Sequence, residues 1–375
     1  NGMKEPDGQA TKADGSKTDE MLCLSYRGKW YQLLLEQGRY LIDRGVTFHS
    51  TDPEMYGDGV SICFCNQCRE GFRKWLQNEW PDVQYRNPME MAANSEANKE
   101  YLRLWEAYKC KRYTDFFADY RREMESYIAK KGLAVPFTFM IYSSYHRSFP
   151  GFSAYADYRD SHSYRMTLED PATFPGVFDI VAPMIYMDVY ANYEPYDMLL
   201  PATDTATLLQ IMRERAPVAP ILCTGYPFVY AFGSDLNAEM LRCNMLEVIG
   251  AGGKGFGFWG ECPFDAADMR AVAQVAGMLQ PYERLILDGI TSKRISAPSQ
   301  NAIVKRIESP HGSLVLVSEY SRKPIEVTVD CPVDSPMTAV ELSTGKSLAT
   351  LTPRNTLFTI QLGESRAVMV AVIKK

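Results

Sequence analysis

The chain has 375 residues, of which 46% are hydrophobic and 23% are charged, as is typical of a globular protein. Its formal net charge of −6 at pH 7 provides no basic surface, so nucleic acid is not expected as a partner. No apolar run approaches the roughly 18–20 residues that a bilayer-spanning helix needs, so a membrane partner is not expected either. No signal peptide is visible, and residue 1 is Asn, so both a cytoplasmic location and export with a preceding leader remain open.

Residues 1–20 are polar and rich in Gly, Lys and Asp, which predicts a flexible arm or loop. From residue 21 to residue 283, apolar segments alternate with amphipathic ones, and this indicates parallel βαβ units. Six strands are predicted, at 21–26, 46–52, 135–145, 178–187, 220–226 and 254–260. Helices are predicted between and after them, at 30–45, 67–80, 100–132, 205–216, 236–253 and 265–279.

These six strands favour a (β/α)8 TIM-type barrel over 21–283. A closed barrel needs eight strands, so the six are strands three to eight if the last one closes it, and the first two lie upstream of residue 1. An open doubly wound sheet needs no missing strand. However, no Gly-x-Gly-x-x-Gly turn follows any strand, which weakens that alternative.

The pattern changes after residue 283. Short segments of alternating apolar and polar residues follow one another with turn residues between them, for example SLVLVSEY and IEVTVDC. This pattern predicts a C-terminal antiparallel β-sandwich over 284–375.

Polar and aromatic side chains follow the predicted strands, where (β/α)8 enzymes have their reactive groups. The carboxylates are Asp52, Glu54, Asp188 and Glu261. The other candidates would form sugar subsites, and they are Arg27, Tyr142, Tyr186, Tyr226 and Trp259. Paired carboxylates with aromatic walls suit glycosidic bond cleavage: one protonates the leaving oxygen, and the other attacks the anomeric carbon or activates water. Instead of a catalytic role, each acid could be an exposed loop residue or a helix N-cap. Tyr186 and Trp259 could belong to the hydrophobic core instead of a sugar subsite.

Three cysteines form a C-x-C-x-x-C pattern at the start of a predicted helix: Cys63, Cys65 and Cys68. With Cys23 as the fourth ligand they satisfy tetrahedral zinc, and four protein ligands would make that zinc structural. Free or partly disulfide-linked thiols are the alternative. No organic cofactor is indicated.

Residues 21–80 resemble the family 42 glycoside hydrolases, which are retaining β-galactosidases built on a (β/α)8 barrel. The chain has Cys23, then TDPEMYG at 51–57, CFCNQC at 63–68 and FRKWL at 72–76, in the order found in that family. The resemblance is fainter from there to about residue 280. It implies that Glu54 is the general acid/base and that the four cysteines bind zinc.

Two departures from the family pattern leave the second carboxylate open. Pro53 stands where the family has Asn, and the predicted strand at 220–226 ends without the Glu that the family uses as its nucleophile. In the arrangement we favour, Asp188 or Glu261 is the partner of Glu54. In a second, Asp52 is the nucleophile and Asp188 the acid. In a third, Asp52 and Glu54 act with an acetamido group of the substrate.

The sequence therefore predicts a glycoside hydrolase that acts on a glycoside, an oligosaccharide or a polysaccharide. The alternative is a catalytically impaired carbohydrate-binding protein on the same barrel, which the two departures favour. Self-association into a homo-oligomer is compatible with either.

Overall fold

The computed structural model describes residues 8–52, 63–143, 168–186, 202, 205–212, 217–219, 221–223, 238–258, 265–298, 302–320, 324–363 and 366–374. These residues group into two compact units, one with the described residues up to Ile180 and one with those from Val181 onward. Within the described residues, no helix has both the length and the apolar character needed to cross a membrane.

The first unit begins with a β-hairpin. β1 (Gln9–Thr11) and β2 (Lys17–Leu22) pair antiparallel, so the described part of the predicted 1–20 arm contains strands. Gly15 lies in the turn between them with φ +87°, a conformation that glycine adopts without strain. The parallel strand predicted at 21–26 is wrong, because β2 ends at Leu22. The polar segment KTDE has no alternating apolar pattern that would predict a strand. It forms part of β2 because it hydrogen-bonds to β1.

The helices of the first unit are α1 (Lys29–Ile42), α2 (Asn66–Glu79), α3 (Pro88–Ala92) and α4 (Lys99–Lys130). α4 buries residues at helical spacing along its whole length, and these include Trp105, Tyr108, Tyr113, Phe116, Phe117, Tyr120 and Met124. β3 (Phe48–Thr51) and β4 (Thr138–Ser143) pair in parallel, which confirms the strands predicted at 46–52 and 135–145. A 3-10 turn follows at Pro171–Thr173.

The second unit contains three parallel strands, β5 (Ile180–Tyr186), β6 (Ile221–Cys223) and β7 (Gly257–Phe258), paired in that order. They confirm the remaining predicted strands. The helices are α5, which includes residues 205–211, then α6 (Ala238–Gly250), α7 (Ala266–Leu279) and α8 (Glu283–Leu287). The first part of the chain is therefore of mixed α/β type with parallel strands, and the described residues do not include a closed barrel.

Two antiparallel sheets complete the second unit. The strands are β8 (Ile290–Ser292), β9 (Ile303–Ser309), β10 (Gly312–Ser318), β11 (Ile325–Asp330), β12 (Met337–Glu341), β13 (Ser347–Leu351), β14 (Leu357–Leu362) and β15 (Ala367–Ile373). One sheet has the order β13-β12-β15-β10-β9-β8, and the other is the pair β11-β14. The predicted segments SLVLVSEY and IEVTVDC correspond to β10 and β11.

The central strand β10 is buried on both faces, which explains its continuous apolar run. Val315 and Val317 pack with β11 and β14 in one core. Leu314 and Leu316 pack with α6, α7 and α8 in another. The domain boundary between residues 283 and 284 stays a prediction, and one core cluster contains residues from both sides of it.

Candidate active site and metal centre

Four cysteines of the first unit bring their sulfur atoms within 4.8 Å of one another. Cys23 follows β2, Cys63 and Cys65 precede α2, and Cys68 lies in its first turn. The Cys23 sulfur lies 3.7 Å from that of Cys65 and 3.5 Å from that of Cys68. A tetrahedral ion with metal–sulfur bonds of about 2.3 Å places its sulfurs about 3.8 Å apart. The four side chains are therefore close enough to bind a metal ion.

The backbone around this four-cysteine cluster directs the sulfurs inward. Cys63 has φ +33°, an uncommon conformation for a residue with a side chain, and such strain is concentrated at functional sites. Cys65 is the N-cap of α2, and its sulfur accepts a hydrogen bond from the Cys68 N–H at 3.4 Å. The Ser25 hydroxyl lies 3.4 Å from the Cys68 sulfur.

The thiols of the cluster affect one another's acidity. Hydrogen bonds from the neighbouring thiols, with Cys23 contributing most, lower the pKa of Cys65 to about 7. The same kind of contact, again mainly with Cys23, lowers the pKa of Cys68. The contact with Cys63 contributes most to raising the pKa of Cys23. At Cys63 the contact with Cys23 lowers the pKa, but the contacts with Cys65 and Cys68 and burial outweigh it, so the pKa is raised. The contacts therefore make two of the four thiols more acidic and two less acidic.

Aromatic rings of α2 and α4 pack directly against the cluster. Phe64, between two of the cysteines, stacks on Trp105 with ring centroids 5.3 Å apart. Phe72, one turn after Cys68, is fully buried and lies 5.2 Å from Trp105 and 5.5 Å from Tyr108. Each such pair contributes roughly 0.5–1.5 kcal/mol beyond its buried area, so the loop that contains Cys63 and Cys65 is stabilised by a well-packed aromatic core.

The predicted catalytic carboxylates are only partly described. Asp52 follows β3 directly and is exposed to solvent. Tyr142 is half-buried near the end of β4. Tyr186 is the last residue of β5, and its side chain is not among the parts of the chain that the structure describes. The remaining predicted residues also lie outside the described ranges, and they are Glu54, Asp188, Tyr226, Trp259 and Glu261.

A buried tyrosine that the sequence did not single out lies within electrostatic reach of Asp52 and of a buried glutamate. Tyr113 of α4 is 1% exposed, and its burial together with the charges of Glu169 and Asp52 raises the pKa of its phenol well above the usual value. Glu169 itself has no exposed surface and follows Leu168, which has φ +66°. No predicted strand precedes Glu169 closely, so a search of strand ends could not find it. The signal available was the acidic pair before Pro171, a usual start for a turn.

Arg27 makes contacts within the first unit. Its guanidinium forms an ion pair with Asp119 at 2.5 Å, donates to the Leu24 carbonyl at 2.6 Å and lies over the Tyr31 ring at 4.7 Å. These contacts orient the side chain between α1 and α4. Its role in a sugar subsite stays a prediction.

A cavity of about 800 Å³ lies in the first unit alongside β3. Its walls are mostly apolar, and its polar groups include His49, which is hydrogen-bonded to the Tyr120 hydroxyl at 2.9 Å. Burial lowers the pKa of His49, so the imidazole is neutral at pH 7. Thr51 and Tyr113 also line the cavity, which therefore extends toward the strand end where Asp52 follows.

Comparisons with known proteins give similarities in fold. No protein-family model and no curated protein matches the chain. An α-amylase from Anoxybacillus is 11% identical, with a TM-score of 0.44, over 70% of this chain and 56% of that one. A maltogenic α-amylase from Thermotoga neapolitana is 11% identical, with a TM-score of 0.49, over 99% and 73%. A GH30 endoxylanase from Clostridium papyrosolvens is 12% identical, with a TM-score of 0.46, over 98% and 77%. The chain thus spans little more than half of the Anoxybacillus enzyme.

Proposed function

We propose that the protein is a glycoside hydrolase in which Glu54 is the general acid/base. The observation that supports this is the position of Asp52 at the carboxyl end of the parallel strand β3, with Glu54 two residues further along the chain. The carboxyl ends of parallel strands are where (β/α)8 enzymes bind and transform substrates. The proposal includes a closed (β/α)8 barrel.

In the proposed reaction, Glu54 protonates the oxygen of the leaving group, and a second carboxylate acts at the anomeric carbon. Asp188 or Glu261 is the proposed partner, and Asp52 is the remaining candidate carboxylate. A separation of about 5–5.5 Å between the two carboxyl groups would give retention of configuration, and roughly 6.5–9.5 Å would give inversion. Sugar subsites would be formed by the strand-end side chains Arg27, Tyr142, Tyr186, Tyr226 and Trp259.

The four-cysteine cluster is proposed to hold a structural Zn²⁺. Cys23, Cys63, Cys65 and Cys68 would fill its tetrahedral shell, so no position would remain for substrate or water. The cluster would fix the start of α2 to the end of the β1–β2 hairpin. Because Cys63 follows Asp52 by eleven residues, the metal would also anchor one end of the segment that contains Glu54. Zinc analysis should find about one ion per chain. It should be lost in Cys65→Ser, and its absence from fresh, reduced wild-type protein would reject the site.

The activity is tested by comparing the wild type with Glu54→Gln on a panel of glycosides. With leaving groups of high pKa, which need protonation, the variant should be slower by about 100-fold or more, with folding unchanged. Glu36→Gln on α1 is the matched control and should retain wild-type rates. Full activity of Glu54→Gln would contradict the proposed role of Glu54.

The competing proposal is a carbohydrate-binding protein that has lost catalysis. Two features of the sequence favour it: Pro53 precedes Glu54, and residues 221–226, which contain β6, include no acid. It predicts that sugars raise the melting temperature of the wild type without any release of product. Turnover of any glycoside by the wild type, lost in Glu54→Gln, would reject it.

A further inference from the structure

Lys109 of α4 is buried in the first unit. It is 2% exposed, and the ion pairs formed between described residues do not include it. Its neighbours Lys111 and Arg112, by contrast, pair with Asp115 at 2.8 Å and 3.3 Å. Burying an ammonium group is unfavourable unless negative charge lies nearby, so the position of Lys109 requires an explanation.

The surroundings of Lys109 connect it to the four-cysteine cluster. Its ammonium nitrogen lies 5.6 Å from the centroid of the Trp105 ring, a favourable cation–π position. The same ring stacks on Phe64, which lies between Cys63 and Cys65. Trp105 also belongs to the same buried cluster as Cys23, Cys63 and Cys68. The ammonium therefore lies against a ring that packs with the four-cysteine cluster.

We propose that Lys109 is the cation that offsets the negative charge of the metal-bound cluster and so strengthens its binding of Zn²⁺. This rests on the zinc site proposed above. Four thiolates and one Zn²⁺ carry about two net negative charges, and the Coulomb attraction of a cation is strong in a buried site. The polar groups that contact these sulfurs from outside the cluster are neutral: the Ser25 hydroxyl lies beside the Cys68 sulfur, and the Cys68 backbone N–H donates to the Cys65 sulfur. Lys109 thus supplies charge that the hydrogen bonds do not.

The test compares three variants in the full chain. Lys109→Met removes the charge and keeps the length of the side chain, Lys109→Arg keeps the charge, and Lys111→Met removes an exposed charge from the same helix. The zinc dissociation constant is measured by competition with a chromophoric chelator at fixed pH and ionic strength. Cobalt substitution follows the same site through its thiolate charge-transfer absorption. Lys109→Met should bind zinc about 10–100-fold more weakly, and the other two variants within about threefold of the wild type.

Unchanged zinc affinity in Lys109→Met would overturn the inference. An equal loss in Lys109→Met and Lys109→Arg would also overturn it, because packing and not charge would then be responsible. A wild type that binds no zinc would instead reject the metal site itself. If circular dichroism shows that Lys109→Met does not fold, Lys109→Gln replaces it with the same expected loss.

Discussion

Phe72→Ala should be among the most destabilising single substitutions in the first unit. Phe72 has no exposed surface and lies at the centre of an aromatic cluster. Its ring centroid is 5.2–6.2 Å from those of five other rings, which belong to Trp75, Tyr85, Tyr101, Trp105 and Tyr108. Replacing a buried phenyl ring by a methyl group removes its transfer free energy and leaves a cavity, which together cost about 3–5 kcal/mol.

Because this cluster packs against the four cysteines, the loss should also weaken metal binding. The expected fall in melting temperature is roughly 6–20 °C, from about 2–4 °C for each kcal/mol in a domain of this size. Urea unfolding followed by tryptophan fluorescence suits the measurement, since four of the five tryptophans precede residue 181. Leu33→Ala on α1 is the control: Leu33 is 47% exposed, so its truncation should cost less than about 1 kcal/mol. A Phe72→Ala protein no less stable than the Leu33→Ala protein would refute the reasoning.

Two further predictions concern a buried histidine and two helical glycines. Burial lowers the pKa of His49 below 6.5, so its contribution to stability is complete above pH 6.5 and is lost as the pH falls through the native pKa. The stability advantage of the wild type over His49→Gln should therefore shrink between pH 7 and pH 5 in urea titrations, and an advantage that stays constant would contradict the burial argument. Gly71→Ala should cost about 1–3 kcal/mol, because the new methyl carbon would lie 2.1 Å from the Tyr108 hydroxyl. Gly277→Ala in α7 meets no atom within 4 Å and should stabilise by about 0.5–1 kcal/mol. Equal melting temperatures for the two alanine variants would contradict the packing argument.

The long elements of this protein could be read from the sequence because they bury regular patterns. The helix predicted at 100–132 is α4 (Lys99–Lys130), and the apolar run at 178–187 contains β5 (Ile180–Tyr186). The apolar character of SLVLVS marked β10 as a strand, because it is buried on both faces whatever its partners are. Such patterns are local, so they survive without knowledge of the tertiary structure.

The hairpin at the start of the first unit could not be read in this way. The residues KTDE of β2 have low strand propensity, and only their pairing with β1 makes them a strand. Without the β1 partner in view, the apolar run that begins at residue 21 predicts a buried parallel strand, whereas its first two residues end the antiparallel strand β2. A strand that forms only by pairing with another strand can be recognised only when the position of that other strand is known.

The four-cysteine cluster and the charges around it also depend partly on local sequence and partly on tertiary structure. The sequence by itself determined that Cys63, Cys65 and Cys68 would lie together, because their spacing places them on one loop and the first turn of a helix. The tertiary structure brings Cys23, which the sequence predicts as the fourth ligand, next to them. It alone decided that Lys109 is buried and that Tyr113 lies within electrostatic reach of Glu169 and Asp52. These residues come from segments far apart in the chain. Only the packing of α4 and its neighbours brings their charges within reach of one another, and no local pattern encodes that packing.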